Sequence, residues 1–161
     1  MSIERDIALL RSVATFDMLN SEALRLLAAD ARTETLAKGT TLFRMGEIAE
    51  CAYVVVSGRI RLVDDRKADA PRLLKEVGPG TLIGETALIV PTPRPVTAVA
   101  EDEVQLLKIP RTAFVTMLER FPDATAKIRR AIAKRLEDTI RALDTVRLKL
   151  EDQRARQRRR R

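Results

Sequence analysis

Apolar positions from Ile3 to Ala31 recur at helical spacing, at Ile7, Leu10 and Val13 and then at Leu24, Leu27 and Ala28. Asn20 or Ser21, followed by Glu22 and Ala23, reads as a helix start, and Phe16 and Leu19 are placed to pack this helical layer onto the rest of the chain. The period changes at Thr33. Short β-rich runs occupy Thr40–Phe43, Tyr53–Val56, Arg59–Val63, Leu73–Val77, Leu82–Ile83, Val96–Val99 and Val104–Ile109. Gly39, Gly46, Gly58, Gly78 and Gly80 punctuate them at turn-like intervals. Many short strands with regular turns predict a closed or double-sheet all-β unit, a jelly roll. The segment Asp64 to Ala70 is a charged hairpin tip. After Pro110 the helical period returns: Arg111–Phe121 forms one short helix, Pro122 breaks it, and Asp123 starts the next. Ile128, Ile132, Leu136, Ile140, Leu143, Val146 and Leu150 then form one continuous stripe. A stripe that projects past its own domain calls for a partner helix, unless the helix folds back on the roll.

Composition narrows the functional classes. The 161 residues suffice for one core, and 45% hydrophobic content excludes a disordered polyelectrolyte. Aromatics at 3%, with no Trp, argue against nucleic-acid binding on aromatic platforms. The absence of His removes most general-base and metal-site schemes, so neither catalysis nor a metal is expected. The single cysteine, Cys51, is read as packing and agrees with a reducing, cytoplasmic setting. No apolar run approaches the roughly 20 residues of a membrane span, and the N-terminus lacks a signal-peptide pattern. Of the net charge of +7, Arg154, Arg156, Arg158, Arg159, Arg160 and Arg161 supply six. The body is close to neutral, and only its tail is basic.

The stretch from Thr81 to Thr97 carries the candidate chemistry. An apolar run ends at Gly84, where the lack of a Cβ lets backbone approach a ligand. Successive N–H groups over Gly84, Glu85, Thr86 and Ala87 suit an anion. Arg94 can close on the same anion, and Glu85 can accept from sugar hydroxyls. From these three charged and small residues alone, a surface turn with a solvated ion pair is an equally open reading.

Gly84-Glu85-Thr86-Ala87-Leu88, the spacer Ile89 to Pro93, and Arg94-Pro95-Val96-Thr97 together resemble the phosphate-binding cassette of cyclic nucleotide-binding domains. Gly39, Gly46-Glu47 and Ser57-Gly58-Arg59 resemble that family's roll, and the likeness runs from about Leu10 to about Arg141. The resemblance implies an α+β, mainly β fold: an eight-stranded β-roll or jelly roll with N-terminal helices and a long C-terminal helix. The divisions it implies are N-terminal helices at 1–32, the roll at 33–110, C-terminal lid and dimer helices at 111–152, and an Arg-rich tail at 153–161. It places Leu62 and Leu74 against the purine face, with core packing as their plainer role. It further implies that Arg135 and Thr139 reach the base from the last helix, and that Leu136–Leu150 form a homodimer seam.

Pro95 departs from the family pattern, where the residue after the cassette arginine donates its N–H to a phosphate oxygen. Losing such a bond costs on the order of 1.5–3 kcal/mol, roughly ten- to hundredfold in affinity. Pro93 and Pro95, flanking Arg94, can recover part of that by preorganising the loop. The position also lacks the threonine that favours cyclic GMP in the family, which implies cyclic AMP over cyclic GMP. The residues after Leu150 are too few for the helix-turn-helix domain of the family's transcription regulators, so the Arg tail is the candidate effector. Its expected partner is anionic: nucleic acid, lipid or an acidic protein. The expectation is therefore a regulatory module that binds a cyclic nucleotide. The alternative is a ligand-free scaffold that interacts through its long helix and Arg tail.

Overall fold

The computed structural model describes residues 3–67 and 69–159, and leaves out the side chains of 135–136, 139–140 and 142–147. Two short helices open the chain, α1 (Ile3–Ser12) and α2 (Ser21–Asp30), with a 3₁₀ turn over Ala14–Phe16 between them. Asn20 caps α2: its side-chain oxygen accepts the N–H of Ala23 at 2.8 Å, meeting one of the donors a helix start leaves open.

Ten strands come next: β1 (Arg32–Leu36), β2 (Thr41–Phe43), β3 (Ile48–Ala49), β4 (Cys51–Ser57), β5 (Ile60–Asp64), β6 (Arg72–Val77), β7 (Leu82–Ile83), β8 (Thr92–Pro93), β9 (Thr97–Ala100) and β10 (Val104–Pro110). Eight of them form the roll as two four-stranded antiparallel sheets, ordered β1-β10-β4-β7 and β2-β9-β5-β6, and β3 pairs with β8 as a small ribbon. All seven expected runs are strands. β1 was not expected, because Arg-Thr-Glu-Thr-Leu is polar and pairs only on one side, as an edge strand. The β3–β8 ribbon is too short to leave any periodicity.

The strand β4 explains how the layers join. Ala52 and Val54 face the helices with Leu107 and Ile109, while Cys51, Tyr53 and Val55 face the roll interior with Leu106. A strand buried on both faces reads as an unbroken apolar run. The helical layer closes over Phe16 and Phe114, whose ring centroids lie 6.1 Å apart.

The chain leaves the roll through α3 (Arg111–Arg120) and α4 (Pro122–Arg159). Phe121 alone separates them, and Pro122 opens α4, where its missing N–H is no loss. Ile128 and Ile132 are buried in the helical layer. Instead of ending near residue 152, α4 runs on through the Arg-rich segment to Arg159. Beyond Ile132 the described side chains are almost all exposed, including Leu148 and Leu150.

Candidate functional site

Gly84 sits in the left-handed region, φ +81°, and starts a 3₁₀ turn over Glu85–Leu88. A side chain is excluded there twice: by that φ, and because a Cβ would collide with Arg94 Nη1. The Ala87 N–H donates to Gly84 O at 3.1 Å to close the turn. Ala87 is therefore committed locally, while the first N–H groups of such a turn point away from it. Thr86 is half-buried, and its carbonyl accepts from Ile89 and Val90.

Arg94 lies in the loop after β8, pinned by its own backbone. Its N–H donates to Glu47 O at 2.7 Å, and its carbonyl accepts from Gly46 N–H at 2.8 Å. The side chain turns inward and is only 5% exposed. Its Nη2 donates to Cys51 O at 2.8 Å, and its guanidinium carbon stands 4.2 Å over the Phe43 ring and 5.8 Å from that of Tyr53. The Nη1 atom, against Gly84, is buried without a hydrogen-bond partner among the described residues. An unsatisfied buried donor costs about 1–3 kcal/mol. Burial pushes the Tyr53 phenol above its ordinary value, with the Cys51 sulfur beside it adding to the rise.

Glu85 faces elsewhere. Its Oε2 accepts from the hydroxyl of Thr15, a buried residue of the first 3₁₀ turn. Thr15 carried no sequence signal, being a lone threonine between helices. Arg111 was also passed over: its Nη1 donates to Ala49 O at 3.1 Å and to Ala87 O at 3.2 Å, tying the cassette turn to the base of α3. Thr97, last of the cassette, accepts from Met45 N–H at 2.8 Å and donates to Asp65 Oδ2 at 2.7 Å. That bond joins the cassette to the expected hairpin tip, where hydrogen bonds from Arg66 hold the Asp64 carboxyl below its usual range.

The structure thus brings Gly84, Arg94 and the Cys51 carbonyl together, and ties Glu85 to the helical layer. Pro95 is exposed, and Val96 packs half-buried against the roll interior. Leu62 packs there too. Leu74, by contrast, is 49% exposed and is not core: it sits opposite the irregularity in β5–β6 pairing, beside exposed Leu73. Arg135 and Thr139 lie on α4, but their side chains are outside the described residues. Arg94 also borders an open cavity of about 620 Å³ with Phe43, Cys51, Tyr53, Glu47 and Lys108, and no other expected site residue lines it.

Residues 33–121, more than half the chain, match the family described as the cyclic nucleotide-binding domain. The chain belongs to the cyclic nucleotide-binding domain family. Among its relatives is the cyclic AMP receptor protein of Thermus thermophilus, 28% identical over 129 residues, covering 80% of this chain and 60% of that protein. Lysophospholipase NTE1 of Chaetomium globosum is 37% identical over 102 residues, 63% of this chain but 7% of the lysophospholipase. The chain therefore spans a small fraction of that relative's length. Among solved structures, the N-terminal domain of a transcriptional regulator from Streptomyces coelicolor A3(2) superposes with TM-score 0.74 at 35% identity, covering 84% of this chain and 94% of that one. The expected roll is that of this family. Among the described residues no helix is long and apolar enough to cross a membrane.

Proposed function

We propose that the chain is a regulatory module that binds a cyclic nucleotide, cyclic AMP in preference to cyclic GMP, and acts through α4 rather than by catalysis. The observation that carries this is Arg94 Nη1, a buried cationic donor held against a left-handed glycine with nothing to receive it among the described residues. A phosphate oxygen there relieves the unmet donor and adds a charge-assisted bond. Gly84, Glu85, Thr86, Ala87, Arg94, Pro95 and Val96 form the phosphate and sugar side of the site. Leu62 and the exposed Leu74 offer an apolar wall to the base, with Arg135 and Thr139 reaching it from α4.

The root of α4 packs against both 3₁₀ turns, the one holding Thr15 and the one holding Glu85. Ligand seated on the second turn therefore biases how α4 docks, a shift between two populated arrangements. Exposed Leu148 and Leu150 support a homodimer seam along Leu136–Leu150. The exposed arginines Arg154, Arg156, Arg158 and Arg159, continuous with the helix, support an anionic partner at its end. In this reading residues 33–110 bind, 111–152 transmit and 153–161 dock.

The second reading, a ligand-free scaffold, is favoured by Pro95 and by how fully Arg94 is built into the aromatic interior. Calorimetric titration with cyclic AMP and cyclic GMP, beside Arg94→Ala, decides between them. Saturable binding of cyclic AMP that the variant loses is the expected outcome. No heat with either nucleotide at millimolar concentration favours the scaffold.

A further inference from the structure

We propose that the arginine-rich end of α4 docks as a helix in the major groove of duplex DNA. The proposal deepens the anionic-partner reading above and rests on it. α4 runs unbroken to Arg159, and from Glu151 to Arg159 every residue but the half-buried Ala155 is exposed. At about 100° per residue, the exposed arginines do not share one face. Arg154 and Arg158 lie on one side of the helix with Gln153 and Gln157, and Arg156 and Arg159 lie on the other. Asp152 belongs to that second side, where it pairs with Arg156 at 3.1 Å. Between Asp152 and Arg159 the first side, an arc of about 140°, thus carries only arginine and glutamine.

A helix about 10–12 Å across fits the B-form major groove, about 12 Å wide, with base edges on its floor and phosphates along both walls. Arginine and glutamine are the side chains that pair with guanine and adenine edges there. With that side to the floor, Arg154 and Gln157 face the bases, and Arg158 and Gln153 face opposite walls. Arg156 lies behind Gln153, and Arg159 points away from the duplex. Other anionic surfaces fit less well. A helix lying in a lipid interface needs an apolar face, and Ala155 is the only apolar residue from Glu151 to Arg159. Single strands bind by stacking on aromatic rings, and α4 has no aromatic residue. The A-form major groove of duplex RNA is too deep and narrow for side chains to read. An acidic protein surface offers its carboxylates to one side of a helix, where a groove flanks it on two.

The test is fluorescence anisotropy of a short, labelled DNA duplex of mixed sequence, titrated with the full chain in the absence of cyclic nucleotide. Binding is expected, falling about fortyfold between about 50 and 200 mM salt as roughly three phosphates are neutralised. Duplex RNA, phosphatidylserine vesicles and polyglutamate should each bind at least about tenfold more weakly. Arg154→Gln and Arg159→Gln remove the same charge from opposite sides of the helix. The first should weaken the DNA complex about fivefold, and the second less than about twofold. Ala155→Pro keeps every charge but breaks the helix, and should also weaken binding. Equal losses in the two arginine variants, or wild-type affinity in Ala155→Pro, make the segment a diffuse charged tail and overturn the proposal. So does the absence of binding at low salt, or vesicles or polyglutamate bound as tightly as DNA. Because no cyclic nucleotide is present, each of these failures leaves the sensor reading standing. A chain that binds DNA but neither cyclic nucleotide loses the sensor reading and keeps this inference.

Discussion

The roll interior and the helical layer lie on opposite faces of β4 and β10, and each holds one charge of the cassette. The interior holds Arg94 over Phe43 and near Tyr53, and by Nη2 donating to the Cys51 carbonyl and sulfur, leaving Nη1 unmet among the described residues. The helical layer holds Glu85 through a hydroxyl that complements it. Local cost is thus stored on the arginine side, while the glutamate is met by a partner in the helical layer. The two regions respond to different perturbations, and substitutions confined to each should separate them.

The largest effect is expected in the helical layer. Phe16→Ala removes a fully buried ring that packs on Phe114 and should lower stability by about 3–5 kcal/mol, read by chemical denaturation. A loss under about 1 kcal/mol would show that the layer collapses around the gap and holds Glu85 only loosely. Gly84→Ala acts at the seam. Its positive φ alone costs roughly 1–2 kcal/mol, and the new Cβ displaces Arg94. Thermal melting should fall modestly, while nucleotide binding is lost altogether. Pro95→Ala restores a backbone donor beside Arg94 without entering either core, since Pro95 is exposed. It should raise cyclic AMP affinity about tenfold with little change in stability. Unchanged affinity would mean that the proline's rigidity already offsets the missing N–H.

The gentlest probe belongs to the roll interior. Tyr53 is the one tyrosine of the chain, so its ionisation can be followed by ultraviolet absorbance without interference from another phenol. Burial raises its pKa above the ordinary 10.0. Its contribution to stability is therefore complete below pH 10 and is lost as pH rises through the folded value. The native midpoint should lie above that of the chain in denaturant, and Tyr53→Phe should flatten the alkaline loss of stability. Coincident midpoints would mean that the interior around Arg94 is wet.

Much of this arrangement was legible from residues. The roll was readable because its turns fall at glycines, of which Gly39, Gly46, Gly58, Gly80 and Gly84 adopt positive φ. The cassette was readable as a spacing. Less visible was β1, polar and one-sided, and least visible was Thr15, which belongs to no local pattern and matters only through a bond across the fold. Leu74 was misleading in the other direction: an apolar residue in a β run predicts burial, yet β6 is an edge strand exposed from Arg72 to Glu76, and Leu74 faces solvent with it. The α4 stripe shows the same limit, because equal periodicity runs through buried Ile128 and Ile132 and through exposed Leu148 and Leu150.

Sequence alone determined the order of the helices and of seven of the ten strands, the glycine turns, the cassette spacing and the amphipathic stripe, all of which depend on chemistry within a few neighbouring residues. Only the tertiary structure decided that Arg94 turns onto two aromatic rings of the roll interior and that Glu85 turns to a buried threonine of the first 3₁₀ turn. The physical reason is that a charged side chain's partner is set by which surfaces pack around it. Packing brings together residues whose separation along the chain carries no trace of their meeting.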